Sequence, residues 1–302
     1  MFGICLLHSV MQGGHPCRWL GNLLLPCVCG FVFVSGWFGI RFSMKKILKL
    51  YGVGLYAACV CATVPIVQTG DFVLLGYLEL VAKLWKNFWF LHAYVVMMCF
   101  APAINFVLEK CGKREAIGLL APVLGFTFVW SWGMNIPLIG RLFPYTNGLG
   151  AFSGFTLLST YIVARFCRMY LPNPNMRHTL VCGLIALVGV LVFGGDYHSP
   201  FSVIIAAVAV YWFAKLPLSS SALTRLLDLI APSLFSVYLL HSHGRVGFPL
   251  IESLQSWLLP YMPIGCAYIF TAIAVFSTCI ILDVPRRLVA CLFNHMMEKK
   301  HA

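Results

Sequence analysis

Long apolar runs, each broken by a short polar or basic stretch, follow one another along this chain from end to end. About 20 consecutive apolar residues cross a bilayer as a helix. Runs of that order occur at residues 20–40, 50–67, 88–108, 116–133, 149–166, 179–193, 201–216, 226–240 and 263–282, which gives nine full spans. A further run, residues 1–11, is apolar but reaches only about 16 Å at 1.5 Å per residue, roughly half the hydrocarbon thickness. It reads as the outer end of a span whose beginning is missing. Residues 71–86 mix apolar positions with Glu79, Lys83 and Lys86, which suits a helix lying at the membrane surface.

Backbone groups cannot go unpaired in lipid, so the spans must be helices or a closed barrel. Continuous rather than alternating runs select helices. The expected fold is therefore all-α, a polytopic transmembrane helix bundle of nine full spans plus a truncated first span. No repeat, low-complexity tract or soluble appendage interrupts it, so residues 1–302 are expected to form a single integral-membrane domain.

Composition agrees with this pattern. The 302 residues are 61% hydrophobic and 10% charged, with a mean hydropathy of +0.89, against about a quarter charged in soluble domains. A net charge of +12 would suit a nucleic-acid binder. The basic residues, however, fall in short clusters between apolar runs rather than along one soluble face, so no nucleic-acid partner is expected. Thirteen cysteines are spread mostly through the apolar runs, in no metal or redox pattern, and read as small hydrophobes. The opening MFGICLLHSVMQGG lacks a basic leading region and a small-residue cleavage site, so no cleaved leader is expected.

Charge also orients the bundle, because retained loops keep their Lys and Arg on the cytoplasmic side. Sixteen of the 21 basic residues fall in one set of alternate connections, beginning with Arg41, Lys45, Lys46 and Lys49 and ending with Arg286, Arg287, Lys299 and Lys300. The other side holds five, Arg18, Lys83, Lys86, Arg141 and Arg245. The C-terminus is expected in the cytoplasm and the end of the first span outside.

Ionisable residues inside a membrane are candidates for function. His8 lies in the outer part of the first span, just before Gln12-Gly13-Gly14. As a neutral imidazole it has the chemistry of a general base for an acceptor hydroxyl; the alternative is a packing histidine near an interface. His241 and His243, at i and i+2, point apart on a helix and make a poor metal pair, so no metal is expected. His92, one turn after Phe88-Trp89-Phe90, suits the aromatic belt. Arg41, Lys45 and Lys49 recur every four residues and would share one helical face with Lys46 beside them. Such a patch suits a polyphosphate, and equally topology or anionic lipid. Ser35-Gly36 permits close approach of a slender ligand or of another helix.

Taken in order, four segments resemble the acyltransferase 3 family of integral-membrane acyltransferases. They are LLHS at 6–9, GFVFVSGWFGIRFSMKK at 30–46 followed by Lys49, FWFLHAYVVMMCFAPAIN at 88–105 and SVYLLHSH at 236–243. The resemblance implies ten spans, a cytosolic acyl-CoA donor, acetyl-CoA being the expected one, and a sugar or glycan acceptor at the cell envelope of a bacterial inner membrane. It implies that His8 is the catalytic histidine and that Ser35 and Gly36 form the Ser-Gly motif. Lys46 and Lys49, with Lys45, would hold the donor's phosphates, and His241 and Trp89 would support the site. The family also places an Arg or Lys about ten residues before the essential histidine, a position that would precede Met1. Either the first span begins upstream, in agreement with its half length, or the protein lacks a group that the reaction normally uses.

Two readings of function follow. In the first the protein is an acyl-CoA-dependent O-acyltransferase in which His8 deprotonates an acceptor hydroxyl that attacks the thioester. In the second it is a transporter or flippase for a lipid-linked sugar, a class that often shows inverted repeats and buried acids. The chain shows no repeat and most of its nine acidic residues are expected at loop positions, Asp71, Glu109, Glu115 and Asp196 among them, which favours the enzyme.

Overall fold

The structure, a computed structural model, describes residues 1–12, 17–131, 133, 154–193, 197, 199–216, 221–244 and 246–301; for 130, 131, 221, 223 and 293–301 it describes the backbone course alone. Gly13, Gly14, Arg141, Asp196, Arg245 and the beginning of the 149–166 run lie outside the described residues, as do the side chains of Lys299 and Lys300.

Fourteen α-helices run in chain order among the described residues, with no strand: α1 Phe2–Gln12, α2 Arg18–Leu24, α3 Pro26–Phe38, α4 Met44–Thr69, α5 Leu74–Lys86, α6 Trp89–Lys110, α7 Lys113–Ser131, α8 Gly154–Tyr170, α9 Met176–Phe193, α10 Pro200–Phe213, α11 Ser221–Ile230, α12 Leu234–His241, α13 Gly247–Leu258 and α14 Ile264–His301. Among the described residues, five stretches are long and apolar enough to cross a membrane: Arg18–Phe38, Met44–Thr69, Trp89–Lys110, Met176–Phe193 and Ile264–Leu292. Phe2–Gln12 and Pro200–Phe213 are apolar but shorter. The chain is an integral-membrane helix bundle.

Three expectations are corrected. Residues 226–240 are not one continuous α-helix: α11 stops at Ile230, a 3-10 turn occupies Ala231–Ser233, and α12 restarts at Leu234. Pro232 is the cause, since proline has no N–H to continue the helical ladder. Residues 247–258, absent from the run of apolar segments, form α13, whose Glu252, Ser253, Gln255 and Ser256 dilute its hydropathy. Arg41 does not share a helical face with Lys45 and Lys49, because α4 begins only at Met44 and Arg41 sits in the connection before it.

The chain divides into two compact units. One unit comprises Met1–Cys17, Leu48–Phe88 and Pro217–Ala302. At its centre α14 presents Ala267, Thr271, Val275 and Cys279, spaced four apart and all fully buried, the stripe that a packed helix face requires. Helices α1, α12 and α13 pack on α14. Although short, α1 buries Ile4, Cys5, Leu7, Ser9 and Val10, and Phe2 meets Phe276 edge to face at 6.0 Å. Midway along α14, the fully buried Asp283 receives two hydrogen bonds from Arg286, at 2.6 and 2.7 Å.

The other unit comprises Arg18–Ile47 and Trp89–Leu216. Here α3 packs against α8 and α10, α6 against α8, and α9 against α10. Cys29, Phe33 and Trp37, one helical stripe of α3, form the core with Ala164, Val203, Ala206 and Tyr211. The guanidinium of Arg168 lies 5.2 Å over the Trp37 ring, a cation–π contact.

Candidate active site

In the first unit, the segment that breaks at Pro232 delivers His241 to the end of α12, fully buried. Its Nδ1 donates to the Val237 carbonyl at 2.7 Å. A carbonyl only accepts, so Nδ1 carries the proton in the neutral ring and Nε2 is left with its lone pair. That Nε2 is buried and has no partner. The half-buried His8 on α1 lies against it, ring centroids 4.9 Å apart and 32° between planes. The Nδ1 of His8 is likewise buried without a partner. Buried polar atoms are satisfied as a rule, so two orphaned ring nitrogens on adjacent imidazoles are an exception of the kind that marks a site for chemistry.

Neighbouring residues hold this pair in place. Phe248 of α13 meets the His8 ring edge to face at 5.6 Å, and Tyr238 meets the His241 ring in the same way at 5.8 Å. Gln255, fully buried on α13, donates through Nε2 to the carbonyl of Ser9, the residue after His8. Gly247 opens α13 directly on the His241 backbone, where a Cβ would stand 1.7 Å from the carbonyl oxygen. Only glycine permits that approach. His243 is not on the helix with His241; it falls in the turn beyond and packs against Phe88 at 5.8 Å.

Sequence reasoning named His8 and His241 but not Phe248, Gln255 or Gly247. The signal for Gly247 was weak, a glycine between two apolar stretches. For Gln255, a lone amide in an otherwise apolar half of a helix was the available clue.

In the second unit, Ser35 donates to the Phe31 carbonyl at 3.2 Å and shares a hydrogen bond with the hydroxyl of Tyr94 at 2.9 Å. Gly36 is spent on packing: a Cβ there would lie 2.6 Å from the Tyr161 carbonyl oxygen and 2.7 Å from Ala164 Cβ. Its bare backbone is what lets α3 and α8 meet. Trp89, half-buried, packs on Phe90 and Tyr197. With His92, Ala93, Val96, Phe100, Gly154 and others it lines an apolar cleft of about 470 Å³. Trp89 thus belongs to the second unit and His8 to the first. Lys45, Lys46 and Lys49 are all exposed on the first two turns of α4; Lys45 and Lys49 stand one turn apart on one face.

A family model described as an acyltransferase domain, that of acyltransferase 3, matches residues 1–284. The chain belongs to the acyltransferase 3 family. The match runs through segments of both compact units, and with it the protein is a membrane acyltransferase. Neither the curated proteins nor the solved structures compared with the chain include a match.

Proposed function

We propose that the protein transfers an acyl group, acetyl in the first instance, from cytosolic acyl-CoA to a hydroxyl of an envelope sugar or glycan, with His8 as general base. The observation that carries this reading is the His8–His241 pair with its two unpartnered ring nitrogens. An imidazole lone pair held in an apolar interior accepts a proton from an alcohol only when one is placed against it, which restricts the chemistry to a bound acceptor. His241, with its tautomer set by Val237, either positions His8 or receives the same proton.

In balance, the acceptor O–H loses its proton to His8 and the oxygen attacks the thioester carbonyl. The C–S bond breaks, CoA thiolate leaves, and the proton passes from the imidazole to that thiolate. Lys45, Lys46 and Lys49 supply charge for the donor's phosphates, as an exposed basic patch does. In this reading Ser35, hydrogen-bonded to Tyr94, serves the donor, and Gly36 supports it by letting α3 meet α8. The reading takes the family's ten-span arrangement, a bacterial inner membrane and a cytoplasmic C-terminus. It treats residues 1–302 as one integral domain and requires no metal.

The test uses the purified protein in lipid nanodiscs with acetyl-CoA radiolabelled in the acetyl group and crude envelope glycans. Label in the glycan fraction, released by mild base as an ester, supports the reading. Label left wholly on the donor, with lipid-linked sugar crossing the membrane of reconstituted vesicles, supports transport instead.

A further inference from the structure

Between Phe38, where α3 ends, and Met44, where α4 begins, five residues turn the chain just before the lysine cluster. Such a connection at the end of a membrane helix ordinarily leaves its backbone groups to water. Here both backbone groups of Ile40 are taken up by side chains of the second unit. The Ile40 N–H donates to the Tyr161 hydroxyl at 3.0 Å, that hydroxyl donates to Asn105 Oδ1 at 2.9 Å, and Asn105 Nδ2 donates to the Ile40 carbonyl at 3.0 Å. The three bonds close a ring, each hydrogen assigned without conflict.

A second clamp sits one helical turn further along the same two helices. Glu109 follows Asn105 by four residues on α6, Arg165 follows Tyr161 by four on α8, and the two form an ion pair at 2.9 Å. The Arg165 guanidinium abuts Gly39, whose φ of +74° is a left-handed conformation and whose Cβ, if present, would lie 2.9 Å from Nη1. Gly39 and Ile40 are therefore fixed in consecutive positions by two rungs between α6 and α8, immediately before Arg41, Lys45 and Lys46.

We propose that Asn105 and Tyr161 are positioning residues for the anionic donor: by holding Ile40 they fix the turn that presents Arg41, Lys45 and Lys46 to the phosphates of acyl-CoA. This rests on the reading that those phosphates dock on the basic cluster. Polar side chains between membrane helices also serve as packing glue, and a purely structural role would lower stability without touching donor affinity. A preset basic cluster instead spares the donor the ordering of a flexible segment.

The experiment measures equilibrium binding of radiolabelled acetyl-CoA, together with the thermal unfolding midpoint and hydrogen exchange over residues 39–46, for the full chain in nanodiscs. Tyr161→Phe removes a single hydroxyl, and Asn105→Leu, close in shape, removes both amide bonds. The expected result is a dissociation constant raised about five- to thirtyfold in either variant, the loss of one or two buried hydrogen bonds. Faster exchange of the 39–46 amides and an unfolding midpoint within a few degrees of the parent accompany it. In parallel, the triple variant Lys45→Gln, Lys46→Gln, Lys49→Gln tests the donor site itself. If the triple variant weakens binding and Tyr161→Phe and Asn105→Leu do not, the positioning role is overturned while the donor site stands. If the triple variant binds acetyl-CoA as the parent does, the donor site is wrong and the positioning role falls with it. A lowered midpoint with unchanged affinity also overturns it.

Discussion

His8 of α1 and His241 of α12 lie ring against ring, tilted by 32° with 4.9 Å between centroids, and each keeps one buried nitrogen without a hydrogen-bond partner. Other buried polar atoms also lack a partner, Gln255 Oε1 among them, but these two are imidazole nitrogens lying against each other, a pairing with the chemistry to accept a proton. Joint action by the two rings has a consequence for mutants. Residues acting as one unit lose activity non-additively. The double variant His8→Ala/His241→Ala is expected to transfer acetyl no more slowly than the worse of the two single variants, within about twofold on the same principle. Initial rates of ester formation for the four proteins check this; fully multiplicative losses would mean that the rings act independently.

Gly247 lies against the carbonyl of His241, and a Cβ there would come within 1.7 Å of the oxygen. Backbone cannot yield as a flexible side chain does. Gly247→Ala is expected to displace the end of α12, cutting transfer at least tenfold with a loss of stability of about 1–3 kcal/mol. Unfolding in detergent and the transfer rate are the paired measurements, and parent-like values for both would show that the contact is relieved elsewhere.

Gly36 makes a comparable demand in the second unit, where a Cβ would meet the Tyr161 carbonyl oxygen at 2.6 Å and Ala164 Cβ at 2.7 Å. Gly36→Val is expected to force α3 from α8 and lower the unfolding midpoint, at a cost of about 1–3 kcal/mol for overpacking. Gly30, where an added Cβ would meet nothing within 4 Å, is the control: Gly30→Ala should leave the midpoint unchanged or raise it. A larger loss from Gly30→Ala than from Gly36→Val would contradict the packing described for α3.

Asp283 is fully buried and answered by both Nε and Nη2 of Arg286. Removing one member of a buried ion pair leaves the other charge stranded, at about 3–5 kcal/mol. Arg286→Ala is thus expected to destabilise the first unit strongly. Asp283→Asn/Arg286→Gln, which removes both charges, should recover part of that loss in a thermal melt. Equal stability of Arg286→Ala and the parent would place Asp283 in contact with water.

Much of this architecture can be read in the sequence because membrane helices announce themselves by unbroken apolarity. The run at 50–67 falls within α4, and those at 88–108 and 263–282 match α6 and α14 to within one residue at the start. The break at Pro232 was written in the residue type, yet the apolar residues on either side of it made 226–240 look continuous. Helix α13 escaped notice because Glu252, Ser253, Gln255 and Ser256 interrupt its apolar residues, which lowers the average over a hydropathy window. His8 and His241 could each be singled out, but their contact depends on α1, α12 and α13 all packing on α14, which no local pattern encodes. The Asn105–Tyr161–Ile40 ring is of the same kind: three ordinary residues acquire meaning only from the approach of α3, α6 and α8.

The general-base assignment of His8 is tested most directly by comparing the parent with His8→Ala for both acetyl-CoA binding and ester formation on envelope glycans. Binding within about twofold of the parent, with transfer reduced by about a hundred- to ten-thousandfold, is the predicted result for a lost general base. Equal transfer by the two proteins would contradict it and leave His8 as a packing residue.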